Sequence, residues 1–536
     1  MLRVFRPSHE HSAFSATLLL MSAVMLSRVI GYLREAYIAW AFGAGPQTDA
    51  YVAGFTIPDW LNYIVAGGTA SITFVSIYTR FVADNHEEEA QETFSIIITV
   101  MTAVLIVGVI LAEMFTPQIE RHMFSGFAPE QLDLCVHLTR ILLPAQIFFY
   151  VGGVVSAVLL SRRLFFLPAF GPLLYNLAII LGGVVAARSL GIASLAWGAL
   201  IGSVLGPFLV NAIGAARIGT GYSINFDIRN SAFREWVRMS IPLMVGVSLV
   251  TADDWILRYF ASGGAGDITR LNYAKRLFAV PIAVLGQATS QATLPFFARL
   301  FGEKRLTEFA ETVNASIYRI VAASILATSF MLAGALPLID LVYRRGRFLF
   351  SDSQETAMFF FIFSISLAFW SAQGLYARAF YAAGNTLTPM LASSLVTLAS
   401  LPLYYTLHRS LSTVGLAIAS DVGIVANTLV LAVLLQRRRL VPAASLPWGE
   451  LAKATLTSVI AGVLSYKVAQ LVMVNSSRVA DIKALGLITL TWVATTAAGL
   501  WITRSQLPND LRRRRPQPPQ RLDPAAASGL GEGMEP

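Results

Sequence analysis

Apolar residues run through this chain in blocks too long and too uniform for a soluble core. Stretches of about 20 residues recur from end to end, the length of helix that crosses a hydrocarbon layer of about 30 Å. They mark fourteen candidate spans, at 14–40, 50–79, 94–115, 137–160, 167–187, 192–215, 237–261, 271–299, 314–343, 356–382, 388–408, 413–436, 451–474 and 484–503. The alternating strands of about 10 residues that build a membrane barrel are absent. The pattern predicts an all-α polytopic membrane protein.

The spans repeat. "GAGPQTDAYVAGFTIPDWLNYIVAGGTASITFVSIYTRF" begins at Gly43, and "GAGDITRLNYAKRLFAVPIAVLGQATSQATLPFFARLF" begins at Gly264. Both open on Gly-Ala-Gly after a long span and hold a mid-helix proline, Pro58 or Pro281. A second echo pairs "SRRLFFLPAFGPLLYN" at 161–176 with "ARAFYAAGNTLTPMLAS" at 377–393. Six spans return the chain to the same orientation. The expected plan is therefore two six-helix lobes, 14–230 and 231–440, related as parallel repeats about the membrane normal. Helices 13 and 14, within 441–505, lie outside the repeat. Residues 1–13 are expected to form a cytoplasmic N-terminus, and the Pro-, Ala- and Gly-rich basic segment 506–536 a disordered tail.

Composition agrees with the pattern. The chain is 55% hydrophobic and 13% charged, against roughly 25% charged in soluble domains. The net charge of +9 invites a nucleic-acid reading, but its distribution favours membrane topology. Arg3, Arg6, Arg80, Arg162, Arg163, Arg217, Arg229, Arg234, Arg299, Lys304, Arg305, Arg437 to Arg439 and Arg512 to Arg515 fall on one side. The other side holds Arg121, Arg188, Arg409, Arg478 and Lys483, with one exception, "YRRGRFLFSDS" at 343–353. The positive-inside rule then places both termini in the cytoplasm. The first apolar run has no small-residue cleavage site after it and reads as a retained helix. Cys135 is the sole cysteine, so no internal disulfide forms.

Charge inside the spans is confined. Spans 3, 5, 6, 11 and 12 are almost free of it, Asp421 excepted. It gathers in the first two spans of each predicted lobe: Arg28, Arg34, Glu35, Asp49 and Asp59, then Asp253, Asp254, Arg258, Arg270, Lys275 and Arg276. A charge at the bilayer centre costs about 2.5–3.5 kcal/mol on insertion scales, so such groups usually face a bundle interior or a wet cavity. Arg28 and Glu35, seven apart, share a helix face, and Asp254 and Arg258 are spaced to pair at i,i+4. Arg34, Arg258, Arg270 and Lys275 could instead lie near helix ends and snorkel to the headgroups. The two clusters together suggest one cation-lined cavity. Its natural ligand is anionic, since the arginine fork suits phosphate.

Other chemistries find no support. There is no P-loop, no G-x-S-x-G elbow and no metal spacing among the six histidines. Asp253 and Asp254, adjacent and about 100° apart on a helix, make a poor Mg²⁺ site. No cofactor or metal is expected. Secondary transport is the class that remains, ahead of a membrane enzyme or a channel.

The stretch "SRVIGYLREAYIAWAFGAGPQTDAYVAGFTIPD" from Ser27 closely resembles the opening of the MurJ/MviN family, the lipid II flippases of peptidoglycan synthesis. "NYAKRLFAVPIAVLGQATSQATLP" at 272–295, "RRLFFLPAFGPLLYN" and "ARAFYAAGNTLTP" resemble further landmarks of that family, and the likeness covers about residues 14–505 in order. The resemblance implies fourteen helices, two lobes round a cationic cavity, and a groove for the polyprenyl tail at the last two helices. It implies a bacterial inner-membrane flippase for an undecaprenyl-diphosphate-linked glycan, most simply lipid II, working as a monomer among membrane lipids and binding no nucleic acid. Arg28 and Arg34 match the family's cavity arginines, Asp49 the acid of its T-D-A motif, and Arg276 the arginine of the eighth helix. Substrate binding is thus expected at Arg28, Arg34, Asp49, Lys275 and Arg276. Asp253, Asp254, Arg258, Arg270 and Asn62 are cavity or coupling candidates.

The chain also departs from the family. Asn62 and Tyr63 replace an arginine pair, Gly67 a glutamate, and Lys275 stands where an acid is common. Span 11 lacks the polar residues of the sodium site described for the family. These departures leave open another polyprenyl-linked polysaccharide as substrate, or a drug as in multidrug exporters of the same superfamily.

Overall fold

The computed structural model describes residues 13–63, 69–162, 164–245, 249–472 and 477–512. Among them every regular element is helical, and helices occupy all fourteen predicted segments. Among the described residues nine helical segments are long and apolar enough to cross a membrane, or ten if α17 (Phe350–Ile365) and α18 (Leu367–Ala382), bent by 46°, count as one span. The longest, α19 (Leu387–Arg437), would be about 76 Å long if straight. It is spans 11 and 12 run together: Ser412, at φ 53° and ψ −140°, turns the chain between them. The N-terminal residues 1–12, the tail from 513 and Gly67 lie outside the described residues.

Several spans are broken where the sequence puts proline or glycine. Span 2 divides into α2 (Pro46–Ala53), α3 (Thr56–Leu61) and α4 (Thr69–Ala83). Gly54 ends α2, and Pro58 sits in the first turn of α3, where an N–H has no helical partner. Span 8 runs as α13 (Asp267–Pro281), a π-helical segment Ile282–Gln287, and α14 (Ala288–Gly302). Proline lacks the donor for the i→i−4 bond, and the wide turn beside Pro281 absorbs that loss. Span 6 repeats the device round Pro207.

The apolar core is shared at one end and divided at the other. Near Gly43 and Gly264, Ile38, Phe124 and Leu138 of the first half pack in one cluster with Leu257, Tyr273 and Phe278 of the second. At the opposite end the first half closes round Phe74, Tyr78, Phe94 and Tyr150. The second half there closes separately, round Phe297, Phe309, Leu375 and Phe380. Span 7 straddles the two halves. Its first helix, α11 (Ser231–Val245), sends Phe233 and Trp236 into the first half's core, and Glu235 accepts two hydrogen bonds from Arg80 at 3.0 and 2.6 Å. Its second helix, α12 (Leu249–Phe260), packs on α19.

At the shared end the backbones touch. A Cβ on Gly126 would lie 2.7 Å from the Cα and N of Gly263, so the approach needs glycine. α20 (Trp448–Val472) packs against α21 (Arg478–Ile502) and α15 (Leu306–Ala333). Beside them lies a mainly apolar cavity of about 1680 Å³, lined among others by Leu332, Phe361, Val459 and Val463.

Candidate functional site

The charged residues of the two halves meet along one seam. α1 (Ala13–Phe42) runs unbroken through Gly31 and presents Arg28, Tyr32, Arg34 and Glu35. Arg28 is exposed and reaches across to Gln287 at 3.5 Å, in the π segment of span 8. One turn on, the Tyr32 hydroxyl donates to the carbonyl of Arg276 at 3.1 Å. Arg276 has 53% of its side chain exposed and lies 3.9 Å from Glu35. Arg28, through Gln287, and Arg276, through Glu35 and its own backbone carbonyl, thus both stand on the seam between α1 and span 8.

Arg34 turns the other way. It bonds to the neighbouring Glu35 and donates to Asn176 Oδ1 at 2.9 Å, and only 16% of its side chain is exposed. Asn176 is fixed in turn by a bond to the Pro172 carbonyl at 3.0 Å. Arg34 is thus held inside the first half, with its charge largely met by Glu35.

The remaining cations are also paired, and two pairings differ from the sequence expectation. Arg258 does not take Asp254, its i,i+4 neighbour. It crosses to the first half and meets Asp59 at 3.0 Å and Thr56 at 3.2 Å. Helical spacing allows an i,i+4 pair, but Lys275 already occupies Asp254. Lys275 Nζ lies 2.5 Å from Asp253 and also contacts Asp254, so the two adjacent carboxylates converge on one ammonium despite their angular separation. Buried Asp253 further accepts from Ser420 at 2.8 Å and from the Tyr404 hydroxyl. Lys275 therefore restores no free positive charge to the seam. Five cations there (Arg28, Arg34, Arg258, Lys275, Arg276) face four carboxylates (Glu35, Asp59, Asp253, Asp254), so the cavity is less cationic than a count of arginines and lysines suggests. Among the described residues Arg28 has no ion pair, and Arg276 has only the long contact to Glu35. These two arginines hold the donors left for a ligand.

Asp49, Arg270 and Asn62 stand apart from those two arginines. Asp49 is fully buried where the halves meet. Its carboxylate accepts from Gly266 N at 2.5 Å, Thr269 N at 2.8 Å and Thr269 Oγ1 at 2.6 Å, tying α2 to the first turn of α13. The positive end of that helix favours an acid there. Gly266 holds φ +85°, and a Cβ on it would press to 2.9 Å from the Ala44 carbonyl. Arg270 meets Asp267 at 3.2 Å, Asp352 at 3.1 Å and Glu355 at 2.9 Å, all within the second half. Asn62 donates to Gln146 at 2.9 Å. Sequence reasoning missed Tyr32, Asn176, Gln287 and Tyr404. The usable signal was an amide in an otherwise clean apolar span, as at Asn176 in span 5.

The geometry can be set beside known proteins. The profile of the family described as "Lipid II flippase MurJ" matches residues 38–479. A "Lipid II flippase MurJ" of Burkholderia cenocepacia is 28% identical over 439 residues, covering 79% of this chain and 84% of that protein. A "Probable lipid II flippase MurJ" of Aquifex aeolicus is 26% identical over 465 residues, covering 85% and 89%. Among solved structures, "Lipid II flippase MurJ, inward closed conformation" aligns with a TM-score of 0.76 at 22% identity, over 90% of this chain and 99% of that one. An inward-facing multidrug resistance MATE family transporter aligns at 0.64 with 15% identity, over 78% and 97%. These two show the shared fold. With its helices and with a family profile matched over most of its length, the chain is a multi-pass membrane protein and belongs to the lipid II flippase MurJ family.

Proposed function

We propose that this chain is a flippase. It moves an undecaprenyl-diphosphate-linked glycan, lipid II foremost, from the cytoplasmic to the outer leaflet of the bacterial cytoplasmic membrane for peptidoglycan synthesis. The observation that carries the reading is a pair of arginines on the seam, one from each half, with donors to spare: Arg28, which reaches Gln287, and Arg276, whose backbone carbonyl accepts from Tyr32. A diphosphate bound there would take charge-assisted hydrogen bonds from both halves at once. Arg34 and Glu35 hold the wall behind it.

The residues at 14–230 and 231–440 then act as two lobes that rock about the bound headgroup. The shared core near Gly43 and Gly264 is the closed side, and the divided cores are the side from which substrate enters. With both termini cytoplasmic, entry is from the cytoplasm. The polyprenyl tail follows the apolar cavity beside α20 and α21. Transport needs no chemical step, and a monomer contains every part named. Span 7, packed on the first half through α11 and on α19 through α12, is the element that must flex.

A second reading keeps the mechanism and changes the glycan. Asn62, hydrogen-bonded to Gln146, supplies no cation where relatives in the resemblance carry an arginine pair, which favours a headgroup other than lipid II. A multidrug exporter shares the fold, but the weakly paired Arg276 and, among the described residues, the unpaired Arg28 repel the cationic drugs such a cavity would take. The test is complementation of a strain depleted of its own lipid II flippase. Arg28→Ala should fail to support growth at normal expression where the unmodified chain succeeds. Full growth with Arg28→Ala would remove the role given to Arg28. Failure of the unmodified chain, with rescue of a different polyprenyl-glycan pathway, would establish the second reading.

A further inference from the structure

Between α10 (Asn211–Arg217) and α11 the chain reads "IGTGYSINFDIRN", residues 218–230, and forms no helix. Apolar and polar residues alternate: Tyr222, Ile224, Phe226 and Ile228, with Ser223, Asn225, Asp227 and Arg229 between them. The four apolar side chains are 54%, 76%, 59% and 59% exposed. A linker in water gains nothing from a row of four exposed large hydrophobic residues, and contiguous apolar patches of this kind mark interaction surfaces.

The segment is fastened to α5 (Glu87–Met123) by two backbone N–H groups and by the tip of Tyr222. Ser223 N–H donates to Ser95 Oγ at 3.3 Å, Asn225 N–H to Thr99 Oγ1 at 3.4 Å, and the Tyr222 hydroxyl bonds Thr99 Oγ1 at 3.1 Å. Two residues of extended chain advance about 6.6 Å and four of helix about 6 Å, so the steps match. The pairing runs parallel, so from 223 to 225 the linker follows α5 from its polar start at Glu87, Glu88 and Glu89 toward its apolar stretch. Backbone N–H groups that enter lipid need protein partners, and hydroxyls of a membrane helix supply them here. Arg229, Arg234 and Arg238 are exposed beside the segment.

We infer that residues 222–228 lie in the membrane as an interfacial strap: Tyr222, Ile224, Phe226 and Ile228 enter the acyl boundary of the leaflet at that end of the bundle, and Arg229, Arg234 and Arg238 contact anionic headgroups. The occupant of the exposed face is the bilayer, continuous with the exposed apolar belt of α5 at Val104, Val107 and Ile110. Because the strap leads into α11, it fixes the depth of span 7 at the join between the halves. The inference rests on the membrane-spanning fold, not on the substrate.

The experiment places single cysteines at 222 to 228 in the full chain, labels each with an environment-sensitive fluorophore and reconstitutes the protein in neutral vesicles of phosphatidylcholine and in anionic vesicles of phosphatidylcholine with phosphatidylglycerol. Buried Cys135 stays unlabelled. Spin-labelled lipid should quench positions 222, 224, 226 and 228 strongly and 223, 225 and 227 weakly, at a depth of roughly 5–10 Å below the headgroups. Replacing Arg229, Arg234 and Arg238 together by Gln should reduce quenching at 224 and 226 only in the anionic vesicles. Uniform quenching by aqueous iodide at all seven positions would overturn the inference. So would an apolar row shielded from both quenchers, which would mean that protein covers it.

Discussion

Lys275 shows how far the surroundings of a residue can alter its reading. On the sequence it is a spare cation beside Arg276; in the fold its ammonium sits between Asp253 and Asp254. Removing one partner of a buried pair costs about 3–5 kcal/mol. Lys275→Ala should therefore lower thermal stability in detergent by that order, and adding Asp253→Asn should recover much of it. An unchanged melting temperature for Lys275→Ala would contradict the pairing. Asp49 gives a second test at this scale. Asp49→Ala leaves three buried donors, of Gly266 and Thr269, without their acceptor, and each orphan costs about 1–3 kcal/mol. The expected result is destabilisation. Lost transport with unchanged stability would instead return Asp49 to the substrate site. The residues proposed for the site were legible as charges in apolar spans, because burying charge is costly enough to be informative. Their partners were not legible. Which carboxylate Arg258 meets depends on how α12 is rotated against α3, and that is a property of packing between distant segments.

At the scale of elements, apolar length marked the segments, since a bilayer demands about 20 apolar residues per crossing: helices occupy all fourteen, and nine or ten among the described residues are long and apolar enough to cross. Breaks were less legible. Pro58 and Pro281 were visible, but the division of span 2 at Gly54 and the π turn that brings Gln287 toward Arg28 depend on how a helix absorbs a missing hydrogen bond. The closed end invites a mutation. Gly126 meets the Gly263 backbone at a distance no side chain tolerates. Gly126→Val should hold the halves apart there and stop transport in a folded protein. Distance measurements between spin labels placed across that end should lengthen. Labels at unchanged distance with transport intact would show that the contact is not a gate.

For the whole molecule, the proposed mechanism rests on the arrangement of cores: one cluster joins the halves at one end, and two separate clusters divide them at the other. Among the described residues the ion pairs along the seam leave Arg28 without one and Arg276 with only the 3.9 Å contact to Glu35, one arginine from each half. The central claim is that these arginines carry a lipid diphosphate between leaflets. The most direct measurement is translocation of labelled lipid II in vesicles holding the purified chain, read from the label's accessibility in the far leaflet. The unmodified chain should move lipid II, and Arg28→Ala and Arg276→Ala, equally folded, should fall to the rate of empty vesicles. Unaltered translocation by both variants, or none by the unmodified chain, would contradict the account.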